Sequence, residues 1–274
     1  MPELPEVQTI VSDLQRIVGD QMTDFFSAVP KAIKNTSVLG FIKQIKNQKI
    51  IKVSRLGKII LIELNNEKII AIHLKMTGKL ILSNQKLTTS NQPKHLYHIF
   101  FFKNKMLKFY DVRKFATISL LDNDGIISIK KNYGIDPITD PFSLNQFSNL
   151  IFQGKTRKIK EVLMNNALIL GIGNIYASEI LFDACILPNR KASSLNKKEI
   201  SKLHKSITKI LNKAIKLRGT SISDYRDAND KSGSFQNHLY VYKRSGQKCK
   251  KCGTIISRSV IGQRSTFFCP NCQN

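Results

Sequence analysis

Two stretches of this 274-residue chain place reactive residue types at spacings that chemistry can use. The first reads Cys249-x2-Cys252, then sixteen residues, then Cys269-x2-Cys272. Two residues between cysteines allow a tight knuckle that turns both sulfurs toward one ion, and two knuckles complete a tetrahedron. Gly253 and Pro270 supply the turn chemistry. Four thiolates leave no open coordination position, so the spacing predicts one structural Zn2+ rather than a catalytic one. Redox pairs are the alternative reading of the same four residues. Metal binding would supply on the order of 10 kcal/mol to a segment too small to fold alone. Between the knuckles the sequence predicts a β-hairpin carrying Arg258 and Arg264. The fifth cysteine, Cys185, lies in an apolar stretch and reads as a buried thiol.

The second stretch is Met1-Pro2-Glu3. Removal of Met1 turns Pro2 into a chain-terminal secondary amine. Such an amine has a pKa of about 8, against about 10.4 for Lys, so roughly a tenth of it is neutral at pH 7. It can form an iminium directly with an aldehyde carbon, which is covalent catalysis with little tuning. Glu3 and Glu6 flank it at a helix start, where a carboxylate can move a proton or stabilise developing positive charge. The bland alternative is a frayed terminus.

Residues 3–18 set Val7, Ile10, Val11, Leu14, Ile17 and Val18 at helical spacing, with Gly19 as a stop and Pro5 tolerated only in the first turn. From about Val38 to Leu121 the pattern turns to short β runs (IIKVSRL, KIILIEL, KIIAIHL, HIFFF, MLKFY, FATISLL), which predict a β-sandwich or barrel. A Pro/Gly/Asp-rich break at 133–142 ends it. Helical patterns follow at 143–152, 156–165, 174–183 and 197–217, then a polar loop, 218–234, and the cysteine module. The expected division is 1–133, 134–234 and 235–274.

The net charge is +25, from 44 Lys and Arg against 19 Asp and Glu. A balance so basic points to a polyanion, either nucleic acid or an anionic membrane surface. No apolar run approaches the roughly 18 residues of a membrane span, and the first residues lack a signal-peptide pattern. A cytoplasmic protein without a membrane role is therefore expected. Only 10 of the basic residues are Arg, and the chain is also rich in Ile and Asn, so AT-rich codon usage stands as a second source of the excess beside function. Its distribution says more: residues 231–274 hold eight bases and no acid, whereas residues 1–30 hold five acids and one base.

Taken together, MPELPEV (1–7), LGK (56–58), HLKMTG (73–78), DVRKF (111–115), LGIGNIYASEILF (170–182), FQNHLYVYKR (235–244) and GQRSTFFCPNCQ (262–273) resemble the bacterial formamidopyrimidine-DNA glycosylases. The resemblance runs end to end. It implies an α+β multidomain protein: an N-terminal β-sandwich opened by the catalytic helix, a helix–two-turn–helix domain, and a C-terminal β-hairpin zinc finger. It also implies a monomeric, bacterial, nucleoid-associated base-excision-repair enzyme acting on damaged double-stranded DNA, which would lie in a basic cleft between the halves. By the family's pattern Pro2 attacks C1′ of the damaged nucleoside and Glu3 protonates the opened sugar. The base leaves, and the Schiff base permits β- then δ-elimination, linked to Lys58 and Arg264 respectively. The lesion must leave the base stack to be reached. Met76 and Phe115 match void-filling and wedge positions, and Arg113 matches the contact to the orphaned base. His73, Lys155, Lys160 and Asn174 match further DNA contacts.

The histidine pair of the family is altered here. Alignment on Phe100 and Phe102 favours His95 as the DNA contact and Tyr97 as the second position, whereas a slipped register promotes His98. The chain also carries Ala116, Asp230 and Lys243 where the family has Gly. The loop 218–234, which the family uses to cover the extruded base, is therefore altered at one position. Two rivals stand beside this reading. One is the endonuclease VIII-like branch for oxidised pyrimidines, against which Leu4 and the full loop argue. The other is a non-catalytic zinc nucleic-acid-binding protein, which leaves Pro2-Glu3 without a purpose.

Overall fold

Proline is confined to the first turn of a helix, and α1 (Leu4–Leu14) begins one residue before Pro5. Its inward face (Val7, Ile10, Val11, Leu14) is buried. The expected helix to Val18 tightens into a 3-10 turn at Gln15–Ile17, and Gly19, at φ +90°, turns the chain. The computed structural model describes residues 1–84, 93–139, 141–222 and 224–274.

Nine strands follow: β1 (Met22–Ser27), β2 (Ile33–Lys34), β3 (Ile50–Leu56), β4 (Ile59–Leu64), β5 (Ile69–His73), β6 (Gly78–Ser83), β7 (Leu96–Phe102), β8 (Met106–Asp111) and β9 (Thr117–Leu121). They form a four-stranded sheet, order β1-β7-β8-β6, and a five-stranded sheet, order β2-β9-β5-β4-β3. Side chains of both sheets (Phe100 and Phe109; Ile60, Ile62, Ile70, Ile72 and Ile118) share one core with the apolar face of α1. This is the expected sandwich.

Two helices interrupt the β pattern. Where strands were expected from Val38, the chain forms α2 (Val38–Ile45), capped by Ser37 Oγ accepting from the Gly40 N–H at 3.0 Å. Short apolar runs do not distinguish helix from strand, and here the N-cap decides. After β9, α3 (Asn123–Lys131) sets Ile126 in an outer cluster with Leu61, Ile69, Ala71 and Leu121.

The remaining elements are α4 (Leu144–Gln153), α5 (Ile159–Met164), α6 (Asn174–Ala184), α7 (Lys197–Lys216), β10 (Ser257–Ile261) and β11 (Arg264–Phe268). The chain divides into two compact units: Met1–Asn132 with Leu217–Ser234, and Tyr133–Lys216 with Phe235–Asn274. The segment after α7 thus returns to the sandwich, and the finger packs with the helices. Within the second unit α6 is buried on nearly every side, against α7 and β11. Among the described residues no helix is long and apolar enough to cross a membrane.

Candidate active site and zinc centre

The head of α1 is enclosed rather than frayed. Met1 is 41% exposed, but Pro2 is buried and Glu3 and Glu6 are only 3% and 2% exposed. Glu6 Oε2 accepts the Glu3 N–H at 2.8 Å, and its Oε1 accepts the Thr220 N–H at 2.7 Å. One carboxylate therefore fixes the residue after Pro2 and joins it to the 217–234 segment. Gln8 accepts from Arg55 Nε at 2.8 Å, and Gln15 donates to the Val53 carbonyl at 2.9 Å. These contacts orient α1 along β3 with its first turn toward the β3–β4 hairpin. That hairpin turns on Gly57, at φ +58°, and Lys58. Glycine at the first position of a two-residue turn suits the strand twist.

His73 pairs with Ile59 across the β4–β5 ladder, at the same sheet end as Lys58. Its Nδ1 accepts the Lys75 N–H at 3.0 Å, which leaves the ring proton on Nε2. Burial first, then the charges of Lys75 and Lys58, pull its pKa down to about 4. His73 is a neutral donor at physiological pH.

The same unit gathers Met76, Arg113 and Phe115. Met76 and Phe115 are 45% and 53% exposed, although both are large and apolar. The Arg113 guanidinium lies 4.7 Å from the Phe115 ring centroid and donates to Met76 Sδ at 2.9 Å. Asp111 organises this patch from below, being 3% exposed. Its Oδ1 accepts from Thr77 Oγ1 and from the Arg113 N–H at 3.3 Å, and its Oδ2 accepts the Ala116 N–H at 2.8 Å. Lys75, His95 and Lys114 around the patch all have left-handed backbones, at φ +50°, +65° and +56°. Such non-glycine strain clusters where surrounding contacts over-determine the backbone.

The two candidate histidines separate here. His98 is 2% exposed, with Nδ1 2.9 Å from Ser27 Oγ and its ring between Phe25 and Phe109. Burial lowers its pKa to about 4. It is a core residue. His95 is partly exposed beside Tyr97, and its carbonyl accepts the Asp111 N–H at 3.0 Å. A β-bulge between Leu96 and His98 sets this register.

In the second unit, Lys155 is exposed over the Phe152 ring. Lys160, expected as a DNA contact, is only 1% exposed, and its ammonium donates to Thr266 Oγ1 at 2.6 Å. Asn174 Nδ2 donates to the Ser265 carbonyl at 2.9 Å, while its Oδ1 is buried without a hydrogen-bond partner. Both side chains tie β11 to the helices, at the two residues that follow Arg264. Arg264 is exposed beside a turn whose central residues, Gly262 and Gln263, have φ of +54° and +59°. Cys185 is also corrected: it is partly exposed and caps α6 in a left-handed conformation.

The four clustered cysteines fit zinc. Their sulfurs lie within 4.8 Å of one another, with Cys249–Cys272 at 3.9 Å and Cys252–Cys269 at 3.5 Å. Zn–S bonds of about 2.3 Å in a tetrahedron require sulfur separations of about 3.8 Å. Two of the sulfurs, on Cys249 and Cys269, belong to buried residues that pack with Phe182, Val241, Ile256 and Phe267. The ion would hold the finger together and take no part in bond-making. The finger also rests on Glu179, whose carboxylate accepts the N–H groups of Tyr240, Val241 and Tyr242 at 2.9, 3.0 and 2.8 Å. Burial raises its pKa against the pull of those donors.

Asp111 and Glu179 escaped the motif reading. Asp111 occupies an inward position of β8, after Leu107 and Phe109, and an acid on a core face was the available signal. Glu179 likewise interrupts the apolar run of α6.

Comparison with known proteins agrees with this architecture segment by segment. Residues 1–118 match the formamidopyrimidine-DNA glycosylase N-terminal domain, 133–226 the formamidopyrimidine-DNA glycosylase H2TH domain, and 246–274 the zinc finger found in FPG and IleRS. The formamidopyrimidine-DNA glycosylase of Herpetosiphon aurantiacus is 39% identical over all of both chains, and that of Carboxydothermus hydrogenoformans is 38% identical over all of both. Among solved structures, Lactococcus lactis Fpg in complex with abasic-site DNA matches with a TM-score of 0.91 and 34% identity, covering 99% of each chain. MutM bound to DNA containing carbocyclic 8-oxo-G matches at 0.90 and 34%, covering all of both. Fold and site together define a helix–two-turn–helix DNA glycosylase with one structural zinc. The chain belongs to the formamidopyrimidine-DNA glycosylase family, and its activity is that of a base-excision-repair DNA glycosylase.

Proposed function

We propose that the protein is a bifunctional DNA glycosylase/AP lyase that removes oxidised purines, 8-oxoguanine and formamidopyrimidines, from duplex DNA. One observation carries the reading: Pro2 and Glu3 are buried and held in place by Glu6, where a chain end ordinarily frays. After loss of Met1 the Pro2 nitrogen attacks C1′, and the bond from C1′ to the base breaks. Glu3 protonates the sugar oxygen as the ring opens, leaving an iminium between Pro2 and C1′. That electron sink acidifies the neighbouring C2′ proton. Its removal expels the 3′ phosphate with the help of Lys58, and a second elimination expels the 5′ phosphate with Arg264.

The solved neighbours support this lesion class, because their DNAs carry an abasic site, Fapy-dG or an 8-oxo-G analogue. Met76, Arg113 and Phe115 form an exposed group suited to filling the space that an extruded nucleotide vacates. His95, His73, Lys155 and Asn174 contact phosphates. His73 does so as a neutral donor, and Lys160 acts by holding the strand that carries Arg264. The protein works as a monomer in the bacterial cytoplasm, on the nucleoid, with 1–133, 134–234 and 235–274 as its catalytic, helical and finger segments.

Borohydride trapping tests the chemistry. A covalent complex with 8-oxoguanine:C duplex is expected from protein shown by mass spectrometry to have lost Met1, and none from Pro2→Gly. Folded, processed protein that yields no adduct would sink the catalytic reading. Faster excision from a thymine-glycol:A duplex would instead favour the endonuclease VIII-like activity.

A further inference from the structure

Arg218 stands in a left-handed backbone, φ +59°, that glycine adopts more readily. Its side chain holds it there. The guanidinium donates to Asp13 Oδ2 in α1 at 2.6 Å, and to Asp227 Oδ2 at 2.7 Å through Nε and 2.5 Å through a terminal nitrogen. The Asp227 side chain is wholly enclosed, and its Oδ1 accepts the Asn229 and Lys231 N–H groups, each at 2.9 Å. Asp13 Oδ2 also takes the Ala228 N–H at 3.2 Å. The outgoing and returning arms of the 217–234 segment are thereby fastened to the middle of α1.

The two residues after Arg218 meet the other end of the same helix face. Asp13 lies seven positions, about two turns, after Glu6, so both carboxylates project from one side of α1. A β-carbon on Gly219, at φ +79°, would fall 2.7 Å from Glu6 Oε1 and 2.8 Å from its Cγ, so the backbone is pressed against that side chain. The Thr220 N–H donates to Glu6 Oε1, and Glu6 Oε2 holds the Glu3 N–H. Each link in the path Arg218–Gly219–Thr220–Glu6–Glu3–Pro2 is a covalent bond or a hydrogen bond inside one compact unit.

We infer that Arg218, clamped between Asp13 and Asp227, is a positioning residue for the N-terminal nucleophile and acts through the Glu6 carboxylate. This rests on the reading of Pro2 as the nucleophile. Losing the guanidinium releases the Thr220 amide from Glu6 and lets the Pro2–Glu3 terminus shift, whereas its partners, Asp13 and Asp227, are not among the residues proposed to touch DNA.

The test is single-turnover borohydride trapping on duplex DNA with a preformed abasic site, using full-length, Met1-processed protein. Arg218→Gly suits the left-handed backbone and removes only the clamp. Its trapping rate should fall on the order of tenfold to a hundredfold, with DNA affinity within about twofold of wild type. Asp13→Asn should fall part of the way, and the double variant should be no slower than Arg218→Gly alone, as expected of one shared path. Trapping by Arg218→Gly at the wild-type rate overturns the inference. So does a loss that follows DNA affinity or melting temperature, because that reports a structural role. A wild type that forms no adduct defeats the catalytic reading of Pro2 itself. A wild type that traps normally beside an unimpaired Arg218→Gly defeats only the role of Arg218.

Discussion

The two compact units hold their reactive groups by different physical means. In the first, two sheets and α1 enclose a large apolar core, and buried carboxylates, Glu6 and Asp111, fasten the chemically useful loops to it. In the second, the finger has a small apolar cluster centred on Phe182, Val241 and Ile256 and relies on four cysteines and the Glu179 bridge. The contrast follows from size. A sandwich buries enough surface to position side chains by packing, whereas a finger of some 30 residues needs coordination and ionic contacts.

Metal removal should separate the units most sharply. Chelation withdraws on the order of 10 kcal/mol of folding energy from the finger and little from the sandwich. Hydrogen exchange should show β10 and β11 amides losing protection while β4 and β5 amides keep theirs. Finger amides that stay protected without metal would erase the distinction. DNA binding should disappear at the same time.

Glu179→Ala comes next. It removes the carboxylate that accepts one buried and two part-buried N–H groups, at a cost of roughly 3 kcal/mol. Glu179→Gln should recover about half of that, because its one carbonyl oxygen can keep the Val241 and Tyr242 bonds. Thermal melts of the two variants check the ranking, and equal melting temperatures would mean that a neutral carbonyl cannot replace the carboxylate there.

Acid should act on the first unit through His73 and His98. Both have folded pKa values of about 4 against an ordinary 6.5, so the unfolded chain takes up protons first as pH falls. Their contribution is complete above pH 6.5 and is lost between there and about 4. The upper limit is about 3 kcal/mol for each ring. Sandwich melting temperature should therefore drop through that window, and a flat profile would show that the rings are solvated. Asp111→Asn should have the smallest effect, about 2 kcal/mol, by replacing one of its two accepting oxygens, Oδ1 serving Thr77 and Oδ2 serving Ala116, with an NH2 donor. Its signature is weaker lesion excision with zinc content unchanged.

Much of this was legible in short contiguous motifs. The knuckle spacing, the opening helix and the hairpin around Arg264 are local, and local spacing dictates their geometry. The apolar run at 38–45 misled because strand and helix share it, and only the Ser37 cap distinguished them. The departures from glycine at 230 and 243 prove informative: Asp230 and Lys243 adopt φ of +61° and +56°, so the backbone keeps the conformation without the residue that suits it. Asp230 compensates with an ion pair to Lys79 at 3.2 Å.

The sequence by itself determined the zinc-ligand spacing, the Pro2-Glu3 motif and the family, because each is written in residues that are neighbours in the chain. Tertiary structure decided which histidine is core, since a bulge in β7 sets that register. It also decided that Lys160 serves the finger, 106 positions away, and that Arg218 meets Asp13 across 205. Contacts at such separations depend on how sheets and helices pack, and no local spacing encodes them.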